Sequence, residues 1–178
     1  STQGVSSAAS DVYKRQVSSC GIVPRIYDLA KEDIPITFAL SLHAPTDEER
    51  KELMPVAHQY TLAETLDACR EYFRQTGRRV TFEYSLVKGK NDTEEQARKL
   101  AKLLAGMNCH VNLIPINPVE EREYERSDSD SVEKFKSTLA KYHINATIRK
   151  SMGSDIDAAC GQLRRKYAFH HQEDSHAF

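Results

Sequence analysis

Cysteine is scarce and scattered in this 178-residue chain. Its four cysteines, Cys20, Cys69, Cys109 and Cys160, are widely separated, with no CxxC, no CxxxC and no Cys/His pair at ligand spacing. A local zinc or iron–sulfur site therefore cannot be read from spacing. A disulfide framework is equally unexpected in a chain of this size without a secretion signal. No apolar run approaches the length of a membrane span and no signal-peptide pattern opens the sequence, which predicts a cytoplasmic protein with no membrane partner. Net charge is also lacking: 25 Lys and Arg against 26 Asp and Glu leave −1. The chain has no global attraction for nucleic acid, so such contact would have to rely on local basic patches. What remains, 39% hydrophobic and 29% charged residues, describes an ordinary globular chain with enough length for one real core.

The first sixteen residues, STQGVSSAASDVYKRQ, are small, polar and aperiodic. Residues 1–16 read as a flexible leader foreign to the domain, resembling the translation of a sequencing adapter, and are set aside from fold reasoning. From Val17 a regular alternation begins. VSSCG is a strand end entering a turn, and a short helix follows around Pro24 to Ala30. Ile36 to Leu42 is a near-continuous apolar run, the pattern of a strand buried on both faces. Thr46/Glu49, Thr61/Glu64 and Thr93/Gln96 are three capping boxes, each opening a helix. Leu62, Leu66, Cys69 and Phe73 form one apolar stripe, so Cys69 reads as core. Strands are expected at Arg79 to Val87, His110 to Asn117 and Ala146 to Lys150. An irregular charged loop spans Val119 to Ser131, and a helix follows with Val132, Phe135, Leu139 and Tyr142 inward. The domain is expected over 17–166, with a frayed tail at 167–178 in which His170 and His171 could bind metal only adventitiously.

Strands alternating with capped helices call for an α/β fold: parallel strands covered by helices, with function at the carboxyl ends of the strands. Those ends collect Ser18-Ser19, Ser41 to His43, Lys88 to Asp92, Asn117 and Ser151 to Cys160, polar groups on otherwise apolar strands. Two of these residues admit two readings. His43 is either a core histidine bonded to a neighbouring carbonyl or a ligand contact, and Asn117 before Pro118 either starts a turn or binds. The stretch GSDIDAACGQL places Cys160 in the first turns of a short helix, behind a Ser154/Asp157 cap and among small neighbours. A thiol so placed is accessible and its thiolate is favoured; the other reading is a small buried hydrophobe.

SLHAP, NLIPINP and RKSMGSDIDAACGQL occur here in order and at domain-scale spacing. In these motifs the chain closely resembles the RlmN family of radical S-adenosylmethionine (SAM) methyltransferases, from about Val17 to Arg165. The resemblance implies the carboxyl-terminal part of a partial (βα)6 barrel and a parent enzyme that methylates carbon-2 of an adenine in 23S rRNA and in tRNA. It implies SAM contacts at Ser18, Ser41, Leu42, His43 and Asn117, and a methylated intermediate on Cys160. It also implies a [4Fe-4S] cluster, a transient disulfide with a second cysteine, and a reductant such as flavodoxin, all for the complete enzyme. The family's CxxxCxxC motif, Gly-Glu segment and resolving cysteine have no counterpart in the sequence. The expectation is thus no metal ligands in this chain, no radical chemistry by it alone and weak SAM binding at best. The basic clusters Arg78-Arg79, Arg149-Lys150 and Arg164-Arg165-Lys166 could meet phosphate, the first of them more simply being solvated surface. Two other functions fit the same motifs: a carbon-8 methyltransferase of the Cfr type, and a non-catalytic module that binds RNA or nucleotide.

Overall fold

The computed structural model describes residues 15–32, 34–116 and 125–149. Its centre is a five-stranded sheet in sequence order, β1 to β5, with every neighbouring pair parallel. The strands are β1 (Gln16–Ser19), β2 (Thr37–Ser41), β3 (Val80–Leu86), β4 (Cys109–Pro115) and β5 (Ala146–Ile148). Between them run helices α1 (Val23–Lys31), α2 (Asp47–Leu53), α3 (Leu62–Thr76), α4 (Glu94–Leu103) and α5 (Ser129–Lys141), with a 3-10 turn at Pro55–His58 before α3. This is the predicted α/β alternation. Parallel strands need crossovers, and here each crossover carries a helix.

β3 and β4 both alternate strictly between buried and half-buried positions. Val80, Phe82, Tyr84 and Leu86 share one face with Cys109, Val111 and Leu113, and these residues join the helices in a single core. Phe38 packs on Tyr72 of α3 with ring centroids 5.0 Å apart, and Tyr84 on Phe135 of α5 at 5.2 Å. Each such ring, fully buried, contributes about 1.5–3 kcal/mol from area alone. The opposite face of β3 and β4 carries Thr81, Glu83, Ser85, His110, Asn112 and Ile114. The expectation of apolar strands with polar groups only at their ends is therefore corrected. β2 comes closest to it, with Phe38, Ala39 and Leu40 all fully buried.

The helix starts follow the sequence with one qualification. Thr61 and Glu64 form the complete reciprocal box. Thr46 and Thr93 do cap their helices through the Glu49 and Gln96 amides. The Glu49 and Gln96 side chains, however, bond each other across α2 and α4. On α3 it is Tyr72, 1% exposed, that faces the core, whereas the predicted Phe73 is half-buried. α5 begins at Ser129 behind an Asp128 cap, so the expected loop ends earlier than Ser131, and Tyr142 lies exposed at its C-cap. The first strand includes Gln16, one residue ahead of the expected boundary.

Candidate functional site

Register aligns Ser41 with Glu83, Glu83 with Asn112, and Asn112 with Thr147. Period-two alternation and parallel pairing thus build a polar row across β2, β3, β4 and β5. It lies on the face opposite the core. The Ser41 hydroxyl points to the Glu83 carboxylate at 3.5 Å, and one turn of the pleat below, His110 Nε2 meets Thr147 Oγ1 at 2.9 Å. Burial, with help from Arg79, lowers the His110 pKa below the ordinary imidazole value. The row offers hydroxyl, carboxylate and amide groups that can grip a polar ligand, on strands held from behind by an apolar core.

At the carboxyl end of β2 the chain turns through Leu42 and His43. His43 has φ +61°, the left-handed region that non-glycine residues seldom occupy. Both amides, Leu42 and His43, donate to the Glu83 carbonyl, at 2.9 and 3.3 Å. His43 Nδ1 accepts from the Ser85 amide at 3.0 Å, which places the proton of the neutral ring on Nε2. Burial, reinforced by the Arg50 charge, pushes its pKa down to about 4, so the ring is neutral at physiological pH. The predicted partner for a core histidine was a carbonyl; the actual partner is an amide, and His43 is an acceptor there.

Two residues hold this turn: Asn91, which the sequence placed within the Lys88 to Asp92 strand end, and Arg50, to which it gave no role. Asn91 is buried: its Nδ2 donates to the His43 and Ser85 carbonyls, each at 2.8 Å, and its Oδ1 accepts from the Val87 amide at 2.7 Å. Arg50 of α2 is 0% exposed. It donates from Nε to the Leu42 carbonyl at 3.3 Å, and from Nη2 to the carbonyls of Cys20 at 2.8 Å and Ser41 at 3.3 Å. Burial lowers its pKa while Asp47 partly offsets that. Glu83 and Asn112 were also missed, although alternation within VTFEYSL and CHVNLIP does carry the signal.

The sequence-predicted residues divide as follows. Ser18, Ser41 and His43 lie at or beside the polar face; Ser18 is exposed, aligned with Ala39, and accepts from Gln16 Nε2 at 3.2 Å. The Leu42 side chain is fully buried in the core, which leaves only its main chain for a ligand. Asn117 and Cys160 lie outside the described residues, as do the Arg164-Arg165-Lys166 cluster and the histidines of the tail. Arg78 donates to the Ile34 carbonyl at 2.7 Å, a structural contact. Cys20, Cys69 and Cys109 are free thiols. Burial raises Cys69 to about 12 and Cys109 to about 11, and among the described residues no three His, Cys, Asp or Glu side chains gather to hold a metal. These residues do not fit an iron–sulfur cluster. No helix among them is long and apolar enough to cross a membrane.

No family model matches the chain. Among curated proteins it is 63% identical over 151 residues to the "Probable dual-specificity RNA methyltransferase RlmN" of Clostridioides difficile (strain 630), covering 85% of this chain and 44% of that protein. It is 60% identical over the same length to the protein of that name from Clostridium acetobutylicum, again 85% against 44%. A radical SAM methyltransferase from Sphaerobacter thermophilus, known by crystal structure, superposes with a TM-score of 0.82 at 46% identity, over 85% of this chain and 44% of that one. A domain of a pyruvate-formate lyase-activating enzyme from Bacteroides vulgatus matches with a TM-score of 0.59 at 15% identity, over 76% and 81%, a likeness of fold alone. The chain spans a little under half the length of the curated relatives it matches, and over that span it is similar to proteins named RlmN and to a radical SAM methyltransferase of known structure.

Proposed function

We propose that this chain supplies the SAM-holding wall and the methyl-accepting cysteine of an RNA methyltransferase. The carrying observation is the polar row of Ser41, Glu83 and Asn112 beside the braced His43 turn, on a sheet face that points away from the core. Those groups suit SAM, whose ribose hydroxyls and ammonium need acceptors and whose adenine edge needs donors; His43 offers a fixed Nε2–H and stays neutral, so it adds no repulsion toward the sulfonium. When bound, SAM supplies the methyl group and, in radical SAM enzymes, the radical that activates it. The Cys160 thiolate takes the methyl group by displacement, its S–C bond forming as the methyl–sulfonium bond breaks. The acceptor is carbon-2 of an adenine in 23S rRNA or tRNA, a base that must be unstacked to be reached.

The test replaces the matching segment of the Clostridioides difficile relative with residues 17–166 of this chain. The expected result is methylated adenosine in rRNA, carried on carbon-2 in nucleoside mass spectrometry, and its complete loss in Cys160→Ala with RNA affinity unchanged. Carbon-8 product would establish the Cfr-type reaction instead. Unimpaired methylation by Cys160→Ala would remove the cysteine from the mechanism, and a chimera that binds RNA without methylating it would favour a binding module.

A further inference from the structure

Arg50 is unusual for a buried cation. Among the described residues it forms no ion pair, although it is 0% exposed; all three of its hydrogen bonds go to backbone carbonyls, and Nη1 is buried without a partner. A buried charge with no carboxylate in ion-pair contact, its burial offset only in part by the more distant Asp47, is costly, and a helix that needed only a core residue there would be served by a leucine. The three carbonyls explain its presence. Cys20 lies just past β1, Ser41 ends β2 and Leu42 follows it, so one planar guanidinium joins the carboxyl ends of two neighbouring strands.

Gly21 supplies an independent observation. Its φ is +102°, and a Cβ built on it would approach Arg50 Nη2 to 2.9 Å and Thr65 Cγ2 to 3.2 Å. The glycine of VSSCG therefore makes room for the guanidinium: backbone and arginine fit each other as a matched pair. Asn91 holds the far side of the same turn through the His43 carbonyl.

We infer that Arg50 is a positioning residue that ties the Ser18–Gly21 and Ser41–His43 segments into one rigid rim, so that a ligand on the polar face meets its contacts already in place. For SAM as that ligand the inference rests on the proposed function; the tie itself does not. Lysine keeps the charge but has a single nitrogen on a flexible stem and cannot bridge three carbonyls with fixed geometry.

The experiment compares wild type, Arg50→Lys and Arg50→Met in the intact chain by amide hydrogen exchange and by NMR titration with SAM. In both variants the amides of Gly21, Leu42, His43 and Ala44 are expected to exchange at least tenfold faster, with β4 and α5 amides unchanged, and SAM affinity to fall at least fivefold. A core role alone would instead raise exchange throughout, and Arg50→Lys would rescue binding. Wild-type rim protection in Arg50→Lys overturns the tie, whatever the ligand. Local loosening with unchanged SAM affinity overturns its part in binding. A wild-type chain that gives no response to SAM defeats the functional reading and leaves the tie to be decided by exchange alone. Should Arg50→Met fail to fold, Gly21→Ala serves in its place, since its Cβ pushes the guanidinium aside, and it is expected to loosen the same four amides.

Discussion

His43 combines three features that explain one another: a positive φ, a ring nitrogen accepting from the Ser85 amide, and a carbonyl held by Asn91. Burial disfavours a second proton on this ring, the Arg50 charge nearby adds to that, and its pKa falls to about 4. Between the ordinary imidazole value of 6.5 and that folded value, the unfolded chain binds a proton that the native chain does not. Stability from this group is therefore full above pH 6.5 and is lost as pH falls toward 4, about 2 kcal/mol between pH 7.5 and pH 5. Asparagine tolerates the left-handed region and can place Oδ1 near where Nδ1 stands. Urea unfolding of His43→Asn should thus match wild type at pH 7.5 within about 1 kcal/mol and be flatter by about 2 kcal/mol down to pH 5. Equal slopes in both proteins would show that His43 titrates normally. The place of His43 was legible, because a buried strand ended at SLHAP; its partners were not. Arg50 sits inside DEERKEL, where it reads as one solvated charge among several, and no local pattern shows that its helix turns it inward.

At the scale of elements, threonine caps were the strongest local signal, since each needs only a hydroxyl three residues ahead of an amide. What the side chains of Glu49 and Gln96 do instead was hidden, because their partner is another helix 47 residues away. The α3 stripe shows a related limit. Phe73 and Tyr72 both fit a helical period within its tolerance, and the choice falls to the Phe38 ring that receives Tyr72. The Tyr72 hydroxyl is nonetheless buried without a hydrogen-bond partner among the described residues. Removing such an oxygen relieves a desolvation cost, so Tyr72→Phe should stabilise the chain by about 1 kcal/mol, read as a higher urea midpoint with an unchanged m-value. A loss of stability would mean that the hydroxyl is bonded after all.

Over the described residues the molecule is a sheet with two different faces, and the candidate site is a consequence of that division. Helices α1, α3, α4 and α5 close one face with a continuous core, while the other presents the polar row of Ser41, Glu83, Asn112 and Thr147. The order of strands and helices could be read in advance because hydrophobic periodicity changes at every boundary. The row could not be read as readily: it exists only once parallel register sets residues from separate strands side by side, and no single strand shows it. The most direct measurement is an NMR titration of the isotope-labelled chain with SAM, which registers even millimolar binding. Shifts should concentrate at Ser41, His43, Glu83 and Asn112 and leave the helix-side core residues Tyr72, Ala101 and Phe135 unmoved. Shifts confined to the helices, or none at the polar row up to the solubility of the ligand, would contradict the assignment of this face as the SAM-holding wall.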